Sequence, residues 1–494
     1  MTPTSGSTDA ARTGTTDVLD VPAYVDGAWL ATGTQVVRTG PYTRTAVSRA
    51  HQADDELVRR ATAAAVPAAA TVAAQTPADR AAALERAAVL SAQRRDEIAH
   101  RLALELGKPV RDGRNEADRV AATFRIAAAE ARRLGGEILP AEGWEHGRGT
   151  TVLTRRSPVG VVLAITPFNA PANLLAHKLA AAYAAGNATI VKAPPQAPAA
   201  TAVVVEIALD AGLPPTAVQL LHGGPEIGAA LCAAPQVNAV AFTGSAAAGA
   251  AVARAAGPKR TVLELGGNAA TIVAHDADVA AAAAACARTG YSNSGQSCVS
   301  VQRVYVHRSR MAEFLPAFTE QVRALRVGDP LDPATDVGSM VDDDAARRVV
   351  DWTEEAARDG AGIPVAGVRT HATVTPTVIV DPPTSARVVR EEIFGPVVVV
   401  LGYDDLDDVV AACNASRYGL QAGLFTEDVR TIFRLWRDLE VGGLVVNGPS
   451  NHRLDHIPFG GVKDSGIGRE SPAHMIDDFT ITKTMHLRGV SLWG

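Results

Sequence analysis

Cysteine and aromatic residues are scarce in this chain of 494 residues, which has four cysteines and 4% aromatic residues. The cysteines are scattered and form no C-x-x-C pair: Cys232, Cys286, Cys298 and Cys413. This scatter argues against a disulfide framework or a structural zinc site, so we expect no metal. It favours the reducing environment of the cytoplasm.

The chain also lacks an excess of basic residues and an apolar run at its start. Its net charge of −6 offers no basic surface for nucleic acid, so we expect small-molecule or protein partners. Residues 1–17 are rich in Thr, Ser, Gly and Ala, which predicts a disordered leader and neither a signal peptide nor a membrane segment. The length predicts two or three domains.

Apolar, strand-like runs alternate with helical stretches in the first half of the chain. Five such runs predict an α/β fold with a doubly wound parallel sheet: 159–165, 188–191, 218–221, 239–242 and 261–263. Sheets of this kind bind ligands beyond the carboxyl ends of their strands. Before them, residues 54–134 predict alanine-rich scaffold helices, broken near Pro67, Pro77 and the turn at 107–109.

Polar and glycine-containing segments follow several of these strands. They are Thr166-Pro167-Phe168-Asn169, Lys192, and Thr243-Gly244-Ser245. A Gly-Ser turn that opens a helix can hold a phosphate, because free backbone amides and the helix dipole face the anion. An ordinary tight turn is the alternative, since the G-x-G-x-x-G dinucleotide pattern is missing.

The stretch from Glu264 to Cys298 carries the most chemistry. Each of these two side chains stands beside glycines, which allow a close approach of backbone and ligand. A thiolate can add to a carbonyl carbon, and a shielded carboxylate can then draw a proton from water. Taken singly, the cysteine could instead be a small buried hydrophobic residue and the glutamate an ordinary strand end.

Two further strands are predicted near 147–156 and 479–484. An exposed edge strand usually has a partner, so we expect them to mediate oligomerisation.

Taken in order, these motifs resemble the NAD(P)-dependent aldehyde dehydrogenase superfamily. The matching segments extend over nearly the whole chain: Gly107-Lys108-Pro109, Pro167-Phe168-Asn169, Lys178, Lys192, Phe242-Thr243-Gly244-Ser245, the Glu264 and Cys298 motifs, Glu392-Ile393-Phe394-Gly395-Pro396, Pro458-Phe459-Gly460-Gly461 and Gly468-Arg469-Glu470. The resemblance implies a cofactor-binding domain (18–142 and 157–265), an α/β catalytic domain (266–472) and a small β oligomerisation arm (143–156 and 473–494). It also implies a homodimer or homotetramer.

The resemblance further implies a mechanism. Cys298 would attack an aldehyde, Asn169 would hold the oxyanion, and Glu264 would activate the water that hydrolyses the thioester, with Lys178 near this centre. NAD or NADP would be held by a second group: Thr166, Pro167, Phe168, Lys192, Pro195, Gly244, Ser245, Glu392 and Phe394. Many NAD-preferring relatives carry a glutamate where this chain has Pro195. No Arg stands beside it to receive a 2′-phosphate, so NAD is favoured and NADP stays open.

Departures from the family predict a small polar aldehyde as substrate, one that could carry a carboxylate, phosphate or phosphonate. The helix after Asn169 lacks the aromatic residues typical of enzymes for greasy aldehydes, and the loop 451–456 is polar. The candidate substrate residues are Ala170, His177, Ser297, His452, Arg453 and Phe459, with Arg119 as a weaker candidate. Arg453 could instead form only a surface salt bridge.

Three other functions are alternatives to this one. A coenzyme A-acylating aldehyde dehydrogenase often lacks the Glu264 base. A binding protein that reuses the fold would be expected to lose Cys298, Glu264 or Asn169. A cysteine hydrolase would need a histidine paired with Cys298.

Overall fold

The computed structural model describes residues 18–492, so the predicted leader lies outside the described part. Its strands, β1 to β25 in chain order, are Leu19–Val21, Ala23–Val25, Ala28–Leu30, Gln35–Thr39, Ala46–His51, Ile138–Leu139, Thr150–Pro158, Val161–Ile165, Ala188–Lys192, Val218–Leu221, Ala239–Thr243, Arg260–Glu264, Ala270–Val273, Arg303–His307, Gly362–Val365, Arg369–Thr370, Thr373–Val374, Thr377–Val380, Val397–Tyr403, Tyr418–Gly419, Gln421–Phe425, Gly443–Val446, Val462–Lys463, Gly466–Ile467 and Thr480–Arg488. The helices, α1 to α15, are Asp55–Ala74, Pro77–Gln93, Arg95–Leu106, Val110–Arg133, Pro171–Ala184, Pro198–Asp210, Pro225–Ala233, Ala246–Ala256, Val279–Gly290, Arg308–Arg323, Asp343–Arg358, Arg387–Arg390, Leu406–Asn414, Val429–Asp438 and Pro472–Asp478.

The five predicted strands form the parallel centre of an eight-stranded sheet, in the order β24-β12-β11-β8-β9-β10-β2-β3. Alternate residues of β8 enter different cores: Val162 and Ala164 pack with α2, α4, α5 and α6, whereas Val161 and Leu163 pack with α1 and α7. Because a strand projects successive side chains to opposite faces, this sheet is covered by helices on both sides. The predicted doubly wound parallel sheet is confirmed.

A second sheet of seven strands lies in the later part of the chain, in the order β15-β18-β19-β14-β13-β21-β22. It is parallel except for β15, which pairs antiparallel with β18. Ile272 and Val273 of β13 contribute to separate apolar clusters on its two faces. The two sheets are linked by the segment between Glu264 and Ala270, which places the Glu264 motif between them.

The predicted strands near 147–156 and 479–484 pair with each other. β7 and β25 run antiparallel from Thr150↔Arg488 to Pro158↔Thr480, and β6 adds a third strand. β25 is an edge strand of this ribbon, as predicted. Its role in oligomerisation and the proposed domain bounds stay predictions.

The predicted helix break at Pro67 is wrong, because α1 continues through it. Proline removes one hydrogen bond to the carbonyl four residues earlier, here that of Ala63. Ala63 and Pro67 are both exposed, so water can satisfy the freed carbonyl. The breaks at Pro77 and at 107–109 are confirmed: Pro77 begins α2, and Gly107 ends α3 with φ +69°. Within residues 18–492, no helix is long and apolar enough to cross a membrane.

Candidate active site

A left-handed backbone segment carries the Cys298 loop away from α9. Asn293, Ser294 and Gly295 have φ of 50°, 56° and 70°. Such conformations are strained for residues with a side chain and need support from their surroundings. The Asp112 carboxylate provides it by accepting a hydrogen bond of 2.8 Å from the Asn293 N–H. A Cβ on Gly295 would lie 2.0 Å from the Gly395 carbonyl oxygen, so this position requires glycine.

The Cys298 thiol is half-buried and packs against Val299, Leu420 and Phe459. Burial and the nearby carboxylates Glu392 and Glu264 raise its pKa to about 12, although Arg453 opposes them. The thiol is therefore protonated near neutral pH in this state. A group that removes the proton, or a nearby positive charge, is needed to form the thiolate.

Glu264 ends strand β12 and is 3% exposed. Both of its carboxylate oxygens are buried without a hydrogen-bond partner. Burial, together with the charge of Glu470, raises its pKa well above the usual value for a glutamate. A buried carboxyl group with a raised pKa keeps its proton to a higher pH than an exposed glutamate and is a stronger base once ionised.

Asn169 follows strand β8 and lies beside the Cys298 loop. Its side-chain amide donates to the Gln296 carbonyl at 3.1 Å. Its backbone carbonyl accepts from Lys108 Nζ at 2.6 Å and from Asn293 Nδ2 at 3.1 Å. These bonds fix the asparagine close to the nucleophile's own loop.

Lys108 is held in turn by a buried ion pair with Glu116 of α4. Glu116 also accepts the N–H groups of Ala172 and Asn173, at 2.9 and 3.2 Å. The start of α5 has no cap from its own Ala170 side chain, so Glu116 supplies the missing acceptor from another helix.

A cleft of about 730 Å³ runs from Cys298 past the carboxyl ends of the first sheet. All nine residues predicted to bind the cofactor line it, and Asn169 does too: Thr166, Pro167, Phe168, Lys192, Pro195, Gly244, Ser245, Glu392 and Phe394. Glu264 and Lys178 are buried and do not line it. The cleft therefore brings Cys298 and the predicted cofactor residues together.

Lys192 ends strand β9 and faces this cleft with an exposed fraction of 7%. Burial lowers its pKa to about 8, and the charge of Glu226 partly offsets that effect. Its ammonium makes no hydrogen bond to a residue in the described part of the chain. It is thus a buried donor that a ligand in the cleft can satisfy.

The turn after β11 brings backbone close to the same cleft. Ser245 is the N-cap of α8 and accepts from the Ala248 N–H at 3.3 Å. A Cβ on Gly244 would lie 2.5 Å from the Phe242 ring, so a side chain there would have to displace the ring. This cradle at a helix N-terminus suits the pyrophosphate of a dinucleotide.

Glu392 lines the cleft, as Cys298 does. Its carboxylate accepts the Gly267 N–H at 2.9 Å, and burial raises its pKa to about 7. Phe394, with φ +48°, packs edge-on against Phe168 at 5.8 Å between ring centroids.

A buried polar network lies behind Glu264. Glu470 accepts from Lys178 Nζ at 2.7 Å and from Arg453 Nη2 at 2.8 Å. Burial alone would raise the pKa of Glu470, but these two cations hold it below its usual range. Lys178 also donates to the Thr243 hydroxyl at 2.7 Å.

The network continues to Asp455, which lies 2.9 Å from His177 Nε2 and 2.6 Å from Arg119 Nη2. Burial opposes ionisation of Asp455, yet His177 and Arg119 hold its pKa well below the usual range. Burial, aided by the charge of Arg453, lowers the pKa of His177, whereas Asp455 and Glu470 oppose this shift.

The six candidate substrate residues have different surroundings. His177 is fully buried, whereas His452 is exposed. The Arg453 guanidinium lies 4.2 Å from the centre of the Phe459 ring, whose other contacts include Cys298. Ala170 and Ser297 are partly exposed near Asn169 and Cys298. The alternative of a surface salt bridge at Arg453 is wrong, because its side chain is only 11% exposed and its partner Glu470 is 1% exposed.

The model of the aldehyde dehydrogenase family matches residues 29–485. The chain belongs to this family. A 3-sulfolactaldehyde dehydrogenase of Priestia aryabhattai is 40% identical over 469 residues, which cover 95% of this chain and 98% of the relative.

Two solved aldehyde dehydrogenases share the architecture. Aldehyde dehydrogenase 21 of Physcomitrella patens, in complex with the reaction product succinate, has a TM-score of 0.93 and 34% identity and covers 96% of this chain and 100% of its own. The NADP-dependent glyceraldehyde-3-phosphate dehydrogenase of Bacillus halodurans, in complex with NADP, has a TM-score of 0.93 and 30% identity. The match covers 95% of this chain and 99% of that enzyme's own. The predicted family, fold and NAD(P)-dependent aldehyde dehydrogenase activity are confirmed by these matches.

Sequence reasoning missed several residues of this aldehyde dehydrogenase. Lys108 and Glu116 support Asn169, and Asp112 supports the Cys298 loop. Their signal in the sequence is weak, because each is a single charged residue in or beside a helix. In the part of the chain that is described, no group of three or more His, Cys, Asp or Glu could hold a metal ion.

Proposed function

We propose that this aldehyde dehydrogenase oxidises a small anionic aldehyde to its carboxylate, with NAD or NADP as oxidant. One observation carries the proposal: a buried cation, Arg453, lies behind the Phe459 ring that packs on the nucleophile Cys298. A guanidinium is suited to hold a carboxylate, phosphate or sulfonate through two parallel hydrogen bonds.

The named relatives support the same class of substrate. Their names and bound ligands include a sulfonate, a carboxylate and a phosphate: 3-sulfolactaldehyde, succinate and glyceraldehyde-3-phosphate. Arg119, with 37% of its side chain exposed, offers a second cation beside Asp455. We infer that Arg119 and Arg453 together favour the anionic end of the aldehyde.

The chain's own residues supply most of the chemistry. Cys298 Sγ, as the thiolate, adds to the aldehyde carbon, and the oxyanion is held by the Asn169 side-chain amide and the Cys298 N–H. A nicotinamide cofactor held in the cleft would supply the acceptor for the hydride from this carbon. The cleft fits such a dinucleotide, because Lys192 offers an unsatisfied donor and Gly244 leaves room for backbone contact.

The second half of the reaction releases the product from Cys298. Glu264, once ionised, takes a proton from a water molecule, which attacks the thioester carbon. The thiolate leaves, and a carboxylate product forms. The raised pKa of Glu264 makes its carboxylate a stronger base than an exposed one, and Lys178 and Glu470 border it as further polar groups.

Other functions have less support. A coenzyme A-acylating enzyme is not favoured, since Glu264 is present in the position of a hydrolytic base. In the described residues no histidine is hydrogen-bonded to Cys298, which disfavours a cysteine hydrolase. Cys298 and Asn169 line the cleft, and the buried Glu264 directly precedes its lining residue Leu265, which disfavours a binding protein that has lost activity.

The first test is reduction of NAD and, separately, NADP at 340 nm. The aldehydes are sulfoacetaldehyde, succinate semialdehyde and glyceraldehyde-3-phosphate, with propanal as the neutral comparison and Cys298→Ala as the inactive control. We expect kcat/KM to be at least about tenfold higher for an anionic aldehyde than for propanal. Formation of acyl-coenzyme A on addition of coenzyme A, or a preference for propanal, would contradict the proposal.

Arg453→Lys sharpens this test, because lysine keeps a positive charge beside Glu470 but loses the paired donors of guanidinium. We expect KM for the anionic aldehyde to rise about tenfold or more while KM for propanal changes little. Arg308→Lys is the matched control, since that arginine pairs with Asp404 on the surface. Equal changes for both aldehydes would mean that Arg453 only supports the fold.

We also infer a homodimer or homotetramer, located in the cytoplasm. The outer edge of β25 is exposed and carries apolar side chains, with Ile481 44% and Met485 50% exposed. Exposed edge strands of this kind commonly pair with another chain. Analytical ultracentrifugation should give a dimer or tetramer that Ile481→Asp weakens, whereas a monomeric native protein would contradict the inference.

A further inference from the structure

An acidic residue that the family resemblance did not assign lies beside residues that line the cleft. The loop after β9 contributes Lys192, Pro194 and Pro195 to the cleft lining, and the start of α7 contributes Gly224 and Pro225. Glu226 is the second residue of α7 and is exposed to solvent.

The Glu226 carboxylate is held in place at the rim of the cleft. Its Oε1 accepts the Gly224 N–H at 2.9 Å. This N–H belongs to the N-cap of α7, which has no side-chain cap of its own. An uncapped amide at a helix N-terminus would attract a phosphate, but here the carboxylate already occupies it.

The charge of Glu226 also reaches into the cleft. Its carboxylate favours the charged form of the Lys192 ammonium, a buried group that makes no hydrogen bond to the described residues. A ligand that binds here is therefore within the field of both charges. A ribose with two free hydroxyls adds no charge, whereas a ribose 2′-phosphate adds almost two negative charges at pH 7.

We propose that Glu226 makes this enzyme prefer NAD over NADP. The carboxylate repels the 2′-phosphate of NADP and occupies the backbone amide that would otherwise bind it. It replaces the charge that is missing at Pro195, from a different element of the fold. This inference rests on the proposed function, because it assumes that a dinucleotide lies in this cleft with its adenosine ribose near Lys192.

The test measures binding of each cofactor without any aldehyde, by isothermal titration calorimetry of the full-length protein. We expect the Kd for NADP to be at least about tenfold higher than that for NAD. Glu226→Gln keeps the size of the side chain and should lower the Kd for NADP about tenfold or more, with the Kd for NAD changed less than about threefold. Glu226→Arg should lower the Kd for NADP further.

Glu354→Gln is the matched control, since it removes the charge of an exposed glutamate on α11 and should change neither Kd. The preference for NAD should weaken as salt increases, because Glu226 is exposed and its charge is screened. Equal affinity of the native protein for both cofactors, or an equal effect of Glu226→Gln on both, would overturn this proposal alone. Failure to bind either cofactor would overturn the proposed function with it.

Discussion

Lys108 donates a hydrogen bond of 2.6 Å from its ammonium to the backbone carbonyl of Asn169. The lysine belongs to the turn between α3 and α4, and the asparagine to the loop after β8. Because the ion pair with Glu116 is buried, Lys108 has little freedom to leave this position. It is a positioning residue for the amide that would hold the oxyanion.

Replacing Lys108 should lower kcat more than it changes KM. In Lys108→Met, we expect kcat to fall about tenfold to a hundredfold with little change in KM, since the oxyanion donor is misplaced. The unpaired Glu116 should also destabilise the fold by about 3–5 kcal/mol. Steady-state kinetics and thermal unfolding measure the two effects.

The double variant Lys108→Met/Glu116→Gln separates the effect on kcat from the effect on the stability of the fold. Glutamine removes the buried charge but keeps an oxygen for the amides of α5. We expect the double variant to recover much of the stability while kcat stays low. Recovery of kcat together with stability would show that Lys108 acts only on the fold.

The reactivity of Cys298 should depend strongly on pH. Only the thiolate reacts with iodoacetamide, and a pKa of about 12 makes the thiolate rare at neutral pH. We expect the alkylation rate of the cofactor-free enzyme to rise about tenfold per pH unit from pH 7 to 10. Mass spectrometry of the Cys298 peptide measures it, and buried Cys286 serves as the unreactive internal control. A plateau below pH 8 would contradict the raised pKa.

Glu264 should lower the stability of the fold as pH increases. Its pKa is raised in the folded state, so above the pKa of the unfolded chain the folded state retains a proton that the unfolded state has lost. The stability present at low pH is then lost at a rate of up to about 1.4 kcal/mol per pH unit, until the folded pKa is reached. Glu264→Gln removes this titration.

Thermal unfolding from pH 4 to 8 tests this expectation. We expect the melting temperature of Glu264→Gln to exceed that of the native protein by an amount that grows with pH and vanishes near pH 4. Asp404→Asn, at an exposed surface position, controls for removal of any carboxylate. A difference that stays constant with pH would contradict the raised pKa of Glu264.

Gly267 should tolerate no side chain. A Cβ at this position would lie 2.2 Å from the backbone carbonyl oxygen of Cys298, so the nucleophile's own peptide would have to move. We expect kcat/KM of Gly267→Ala to fall by about a hundredfold. Gly33→Ala is the matched control, because nothing lies within 4 Å of a Cβ there. Activity of Gly267→Ala within twofold of the native level would contradict this geometry.

The sequence predicted the features that depend on local patterns. The runs that became β8 to β12 are short, apolar and bounded by turns, because a parallel strand covered on both faces needs apolar residues throughout. Cys298 and Glu264 were singled out as nucleophile and base because each stands in a glycine-containing motif, and these roles stay predictions. Pro67 was misjudged, since its solvent exposure depends on how α1 packs and not on local pattern.

Contacts between distant residues could not be predicted. His177 meets Asp455 across 278 positions, and Arg119 meets the same aspartate across 336. Periodicity describes which face of a helix is buried, and it does not identify the charged partner that will compensate a buried group. The burial of Arg453 depends on its contacts with Glu470 and Phe459, which no local pattern in the sequence indicates.

The strand that ends at Glu264 has its outer neighbour far along the chain, because Leu263 and Glu264 pair with Ile467 and Gly466 of β24. During synthesis at about 5–20 residues per second, the edge of β12 therefore stays unpaired for about 10–40 seconds after Glu264 has been made. Strand β7 stays without its partner β25 for longer still, because β25 is made later than β24. Until β24 and β25 have been made, both sheet edges are exposed to chaperones and proteases, and a chain that stopped before Gly466 would leave both of them unpaired.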